Sequence, residues 1–465
     1  MSKIKLGKQE IIHFVGIGGI GMSGLAQIMK TMGFNSQGSD INKNRNIENC
    51  KKLGIKILIG HKRKNINKAT IIVKSSAIKS NNVELLEAKK KKIPIYDRVE
   101  MLANIIDLKK NIIITGSHGK TTTTSLVAKI ISTARLDPTI INGGVINSLK
   151  NNAKLGQGEW AIVEADESDG SFLKVPINYS IVTNIDREHL DYYGNFNKLI
   201  AAFKTFVEKT PPIGKSFLFL DDINLRNLIK KLRTKNYLTY GFNKKSNYQI
   251  CNARYEIDYT KFDLKIKNVG PKNLYIKNIL LNLIGKHNVL NATAAISLCL
   301  NLGLKENIIK KALKNFSGVQ RRLTKVFKRN KIEFYDDYAH HPTEIKSVLE
   351  GIRTVAVKRK IISVFQPHRY SRIKSLKYEF ASCFKNSDQV MLCPMYSAGE
   401  KVDKTYDKKK FAQLISKFSK TQVILVNSEN DLTKYFRKNL IKDEIIIGMG
   451  AGSISKWIYN LKNTL

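Results

Sequence analysis

A short β-branched run, a glycine-rich turn and a helix-periodic stretch follow one another near residues 11–30, 111–131 and 444–457. This unit admits few folds, because its strand and helix must bury their apolar faces against each other. Its recurrence predicts α/β domains with parallel sheets. At 465 residues the chain has room for two to four domains, and three such units favour three. The expected divisions are 1–107, 108–319 and 320–465. The first alternates strands (Ile11–Val15, Ile71–Lys74) with helices (Ser23–Met32, Val83–Lys91). The second opens on a strand at Asn111 and includes a strand-rich stretch over Tyr248–Leu283. The third begins near Arg321 and sets strands such as Lys360–Phe365 and Gln389–Leu392 between helices.

The formal charge of +42 would by itself suggest a nucleic-acid or acidic-membrane partner. The lysines are scattered, however. Runs such as Lys89–Lys92 and Lys408–Lys410 are short, and no aromatic-studded basic stripe accompanies them. The charge therefore reads as compositional drift, and neither nucleic acid nor membrane is an expected partner. The five cysteines (Cys50, Cys251, Cys299, Cys383, Cys393) form no CxxC pair, which fits a reducing compartment. Lys3, Lys5 and Lys8 ahead of an apolar stretch imitate a signal peptide. His13 and the glycines inside that stretch argue instead for a buried strand entering a nucleotide loop. No stretch approaches the ~20 apolar residues of a membrane span. A cytoplasmic monomer or weak homodimer is expected.

Gly16, Gly18 and Gly21 fit G-x-G-x-x-G directly after the strand Ile11–Val15, with Gly19 between them. Such glycines let the backbone approach a diphosphate, and the following helix presents free N–H groups to it. Asp40 follows about 20 residues later, where an acid would hold a ribose hydroxyl. Ser75 and Ser76, ending another strand, offer donors to the same crevice. Three readings fit these residues: a dinucleotide site, a nucleotide-sugar diphosphate site, or a tight turn with no ligand.

The second loop is more specific. The strand Asn111–Thr115 runs into Gly116-Ser117-His118-Gly119-Lys120-Thr121-Thr122, then a helix with Leu126, Val127, Ile130 and Ile131 on one face. Backbone N–H groups would cradle phosphates, Lys120 would reach the β/γ-phosphates, and the Thr121 hydroxyl would bind Mg²⁺. Two residues fewer than the usual loop separate Gly116 from Gly119-Lys120, which points to a narrower group of ATP users. A further strand ends at Glu164, a candidate Mg²⁺ ligand. The neighbouring Asp166, Glu167 and Asp169 read as solvated or helix-capping acids. His189, in a polar turn after another strand, reads equally as a metal or phosphate ligand and as a structural histidine.

These motifs resemble the Mur ligases. The resemblance rests on Thr115–Thr121, Glu164-Ala-Asp-Glu-Ser, Asn184-Ile-Asp…His189 and Gly285-Lys-His287-Asn288-Val-Leu-Asn291. Members that attach L-alanine are matched more closely still, through His13–Gly24, Gly38-Ser-Asp40, Asp336–Glu344 and Gln366–Arg372. The resemblance spans almost the whole chain. It implies an N-terminal Rossmann-like UDP-sugar domain, a central P-loop ATPase-like domain and a C-terminal Rossmann-like domain. It also implies ATP and Mg²⁺ as cofactors, and UDP-N-acetylmuramate and L-alanine as substrates. It displaces the NAD reading, because the relatives use that first cradle for the UDP-sugar.

By matching position, Lys120 contacts ATP, and Thr121, Glu164 and His189 serve Mg²⁺. His287, Asn288 and Asn291 line the adenine and phosphate region, and Arg322 and Asp337 reach ATP from the last domain. His341, Arg369 and Arg372 face the amino acid and the lactyl group. His341 is the expected base for the amine, and Arg372 an expected partner for the oxyanion. Without the resemblance, Asn288 and Asn291 read as helix caps, His340 and His341 as packed turn residues, and Arg321 and Arg322 as surface charges. Ser117, Ala339 and Ser455 depart from the family pattern without removing a chemical group. Sister ligases carry a carbamylated lysine; Lys204 lies in that region, but the alanine-adding members generally do without it.

Overall fold

The computed structural model describes residues 4, 6–271 and 273–465, so Lys3 and Lys5 of the basic N-terminal stretch lie outside the described residues. The strands form three sheets. The first has five parallel strands in the order Lys56–Ile59, Asn35–Asp40, Ile11–Val15, Ile71–Lys74, Ile95–Asp97. Strand order reverses between Ile11–Val15 and Ile71–Lys74. Gly16 and Ser75 leave the sheet there, at the crevice where ligands of such sheets bind.

The second sheet has ten strands, with Lys110–Thr115 in its interior between Tyr179–Val182 and Trp160–Glu164, parallel to both. Ile112, Ile113 and Ile114 are fully buried. Burial of each contributes about 2 kcal/mol, which is why a run of β-branched residues is read reliably as an interior strand. The helix Lys120–Thr133 follows, with both its threonine-rich first turn and its apolar turns buried.

Two compact units emerge. One comprises Met1–Ala253, Phe262–Leu280 and Leu290–Ser317; the other comprises Arg254–Lys261, Leu281–Val289 and Gly318–Leu465. Within the first unit, the helix Ile20–Thr31 lies on the strands Thr139–Ile146 and Asn151–Lys154 of the second sheet. Asn152 Nδ2 donates to the Ile20 carbonyl at 2.8 Å, and Asn151 Nδ2 to Gln27 Oε1 at 2.7 Å. A Cβ on Gly24 would stand 2.9 Å from Asn152 Nδ2 and 3.0 Å from the Ala153 methyl. The last glycine of the N-terminal motif thus serves helix–strand approach rather than a ligand. This helix starts three residues before the expected Ser23. Gly19 caps it in extended geometry, and the Ser23 hydroxyl bonds back to Ile20 within the first turn.

The second unit holds a six-stranded sheet in the order Thr324–Arg329, Ile332–Asp337, Ile445–Met449, Ile361–Phe365, Gln389–Leu392, Gln422–Leu425. Only the Thr324–Arg329 pairing is antiparallel. Asp336, Asp337, Gln366 and Gly450 gather at the carboxyl ends of its three central strands. Among the described residues, no helix is long and apolar enough to cross a membrane.

Candidate active site

The first cradle is braced by its own side chains. Gly16 turns the chain at φ +83°. Asp40 Oδ2 accepts from the Gly18 amide at 2.8 Å, and Oδ1 accepts from Asn42 N at 3.1 Å. Asn44 and Asn46 donate to the Gly18 carbonyl at 3.1 and 2.9 Å. A Cβ at Gly18 would meet Asp40 and Asn44 at 2.8 Å. Each carboxylate oxygen of Asp40 already accepts an amide of the surrounding loops, which leaves its second lone pairs for the expected ribose contact. Gly19 and Ser76 are exposed, while Ser75 lies against Gly16.

Arg98 was not legible as a site residue, since Asp97-Arg98…Glu100 reads only as a capping box, which it is. Its guanidinium lies over Gly21, 3.1 Å from where a Cβ would be, and it donates no hydrogen bond among the described residues. A cation at the head of a helix facing a glycine turn suits a diphosphate.

The second loop is laced to the turn at 183–186. Gly116 has φ +126°, and a Cβ there would overlap Thr183 Oγ1; Gly119 has φ +85°, and a Cβ there would meet Asn291 Oδ1 at 2.5 Å. Asn184 takes the Ser117 amide on its carbonyl at 3.0 Å and the His118 amide on its side chain at 2.9 Å. The Thr183 hydroxyl and Asn184 Nδ2 donate to the His118 carbonyl at 2.6 and 2.9 Å, and His118 Nε2 lies 3.1 Å from Asp186. Ser117 and His118 were expected to cradle phosphate. Their amides are instead bound by the neighbouring turn, which stiffens the shortened loop. The amides that point free of a helical partner are those of the first helical turn, including Lys120, Thr121 and Thr122.

Around that turn stand carboxylates. Thr121 Oγ1 donates to Glu164 Oε1 at 3.0 Å, and the Gly143 amide to Glu164 Oε2 at 2.6 Å. Hydroxyl and carboxylate side by side make a hard-oxygen pair of the kind Mg²⁺ uses. Lys120 Nζ donates to the carbonyls of Gly116 (2.6 Å) and Ser117 (3.2 Å) and to Glu167 Oε1 (2.9 Å). Burial would depress this ammonium, but Glu167, Asp166 and Glu164 more than offset that and raise its pKa. Glu167 is 1% exposed, so the expectation of a solvated or capping acid fails for it. Asp166 and Asp169 do bond local amides, those of Ser168 and Ser171. His189 sits in left-handed geometry (φ +58°) with its ring 3.6 Å from Glu167; Glu167, Glu188 and His189 bring ligand atoms within 4.8 Å of one another. Asn291 accepts from Thr123 Oγ1 at 3.2 Å, bracing the loop from below. Helix Lys286–Asn301 begins ahead of Asn288 and Asn291, so neither caps it. Lys204 lies 3.7 Å from Glu208 one helical turn on.

In the second unit, Asp337 accepts from the amides of Leu323 (2.6 Å) and Ala339 (2.7 Å), and burial pushes its carboxyl up to about 6. Arg321 and Arg322 are not surface charges. Both guanidinium groups lie over the Tyr338 ring, at 4.8 and 5.5 Å from its centroid; Arg321 also donates to the Gly450 carbonyl, and Arg322 stands 3.7 Å from Glu344. Burial, helped by Arg322, lowers His287 to about 4, so it is a neutral ring at pH 7. Asn288 Nδ2 donates to the Ile284 carbonyl at 2.8 Å. His341 caps helix Pro342–Val355, its Nδ1 accepting from Thr343 N at 3.4 Å. That lone pair is therefore committed to the helix, which disfavours the expected base role. Arg372 donates to His368 Nδ1 at 3.2 Å; burial, His340 and the neighbouring arginines hold His368 neutral, at about 3, and its ring stacks on Tyr396. Arg369 is exposed, with φ +67°.

Comparison with known proteins identifies the family. The Mur ligase family catalytic domain matches residues 11–110, the Mur ligase middle domain 114–299, and the Mur ligase glutamate ligase domain 321–452. The chain belongs to the Mur ligase family. Within that family it is 56% identical to the UDP-N-acetylmuramate–L-alanine ligase of Pelagibacter ubique, over 99% of both chains. It is 41% identical to that of Agrobacterium fabrum, over 98% of this chain and 97% of the relative. Among solved structures, the UDP-N-acetylmuramate–alanine ligase of Thermotoga maritima superposes with a TM-score of 0.82 at 29% identity, covering 97% of this chain and 98% of that one. A murein peptide ligase from Psychrobacter arcticus shares the fold, with a TM-score of 0.72 at 20% identity and 98% of both chains covered.

Proposed function

We infer that this chain joins L-alanine to UDP-N-acetylmuramate at the expense of ATP, giving UDP-N-acetylmuramoyl-L-alanine, ADP and phosphate for peptidoglycan precursor synthesis. The observation that carries this reading is the full-length identity to the Pelagibacter ligase, joined to a phosphate loop whose Lys120 and Thr121–Glu164 pair are in place. The domains divide near residues 107 and 319, with the UDP-sugar in the first, ATP in the second and the amino acid brought by the third.

A carboxylate resists amines because its leaving group would be oxide. Phosphorylation removes that barrier. The lactyl carboxylate of the sugar attacks the γ-phosphorus in line, ADP leaves, and the amine of alanine then displaces phosphate from the acyl carbon. Lys120 and the first-turn amides of helix Lys120–Thr133 hold the phosphates and offset the charge that spreads over them. Thr121, Glu164 and His189 are the residues that would hold Mg²⁺, which would supply positive charge to offset that of the phosphates. Asn291 braces the loop; His287, Asn288, Arg322 and Asp337 are assigned to the nucleotide, and Arg369 and Arg372 to the carboxylates of sugar and amino acid. His341 orients its helix rather than taking the amine proton. The Gly16–Gly21 cradle with Arg98 takes the UDP diphosphate.

The substrates and the cysteines, all free, suit the cytoplasm; a monomer or weak homodimer without nucleic-acid or membrane partners is proposed.

The test is phosphate release from ATP with UDP-N-acetylmuramate and each amino acid in turn. L-alanine should give the highest kcat/KM, with glycine trailing by about 10- to 200-fold for the missing methyl. Release with a murein tripeptide but not with alanine would point to a recycling ligase, and none with any amine to a binding protein.

A further inference from the structure

The buried carboxylate of Glu167 has a place that the reaction above does not use. One oxygen, Oε1, lies 2.9 Å from Lys120 Nζ; the other, Oε2, is buried with no hydrogen-bond partner among the described residues. The Tyr193 hydroxyl donates to the Glu167 carbonyl at 2.6 Å and fixes the backbone beneath it. A buried carboxylate with an orphan oxygen is costly unless a cation stays beside it. Here the nearer cation, at 2.9 Å against 3.6 Å for the His189 ring, is the same ammonium that a triphosphate needs. One lysine carries one charge, and Glu167 and phosphate both draw on it.

We propose that Glu167 is a positioning residue that holds Lys120 as its counter-ion, so that an incoming phosphate must take the ammonium from it. The proposal rests on reading residues 116–123 as the nucleotide loop. It has two consequences that a packing role lacks. Glu167 competes with phosphate, so removing its charge strengthens nucleotide binding. It also depends on Lys120, so deleting the lysine leaves the buried carboxylate with only the more distant His189 ring beside it, a cost that loss of the carboxylate relieves.

Both consequences are measurable. Calorimetric titration with ADP in EDTA isolates the lysine–phosphate contact from any metal. Glu167→Gln should bind ADP about fivefold or more tighter than the natural protein, a coupling at the lower end of the usual range. Glu167→Asp, which keeps the charge, should return toward the natural affinity. In thermal unfolding without nucleotide, Lys120→Ala should lower Tm, and adding Glu167→Gln should restore most of the loss. Equal or weaker ADP binding by Glu167→Gln, with the natural protein binding normally, overturns the proposal. So does a double variant no more stable than Lys120→Ala. Should Glu167→Gln alone not fold, the double variant decides, since it buries no unpaired charge. If the natural protein ignores ADP, the nucleotide-loop reading itself has failed, which is a separate result.

Discussion

Lys120→Ala is expected to lower kcat/KM for ATP about a thousandfold or more, a loss of ~4 kcal/mol of transition-state stabilisation. The ammonium already lies inside the loop, bonded to the Gly116 and Ser117 carbonyls. Alanine leaves the cradle's amides but takes away the ammonium, so nucleotide binding should weaken less than turnover. Coupled ADP-release kinetics with saturating sugar and alanine measure this. A loss below about tenfold would mean that the charge does not act on the transferred phosphoryl group.

The second large effect is expected at Glu164. Its two oxygens accept from Thr121 Oγ1 and from the Gly143 amide. A Cβ on Gly143 would collide with it at 2.6 Å, so the strand end and that turn are built around the carboxylate. Glu164→Gln keeps the shape and one acceptor but removes the charge. The rate at fixed Mg²⁺ should fall about a hundredfold or more, and the Mg²⁺ concentration for half-maximal rate should rise, with Tm little changed. Rate against Mg²⁺ concentration checks this. An unaltered Mg²⁺ dependence would move the metal away from Glu164, toward the group formed by Glu167, Glu188 and His189.

What could be read from the sequence was local. The strand Asn111–Thr115, the turn after it and the apolar face of the next helix lie within one short window, and β-branched and helical periods identify each. The same holds for Ile11–Val15 and its glycines. What could not be read depends on chain crossovers. Lys120 and Glu167 are 47 residues apart, His118 and Asp186 are 68, and Thr123 and Asn291 are 168. No periodicity marks which acid of Asp166, Glu167 and Asp169 turns inward; the fold decides, and only Glu167 does. Asp40 was placed correctly in sequence, at the end of the strand beside the glycine loop. Its short side chain reaches the loop's own amide first, so its main bond is to the protein. Arg98 carries a helix-start signature, and only the close approach of Gly21 reveals its position at the cradle.

The central claim is that the sugar's own carboxylate captures the γ-phosphoryl group held by the Gly116–Thr122 turn. It is tested most directly with UDP-N-acetylmuramate labelled with ¹⁸O in both lactyl carboxylate oxygens. After turnover with ATP and L-alanine, mass spectrometry of the released phosphate should find one labelled oxygen per molecule, left from the acyl–oxygen bond that the amine breaks. Phosphate without label, at full product yield, would contradict the account.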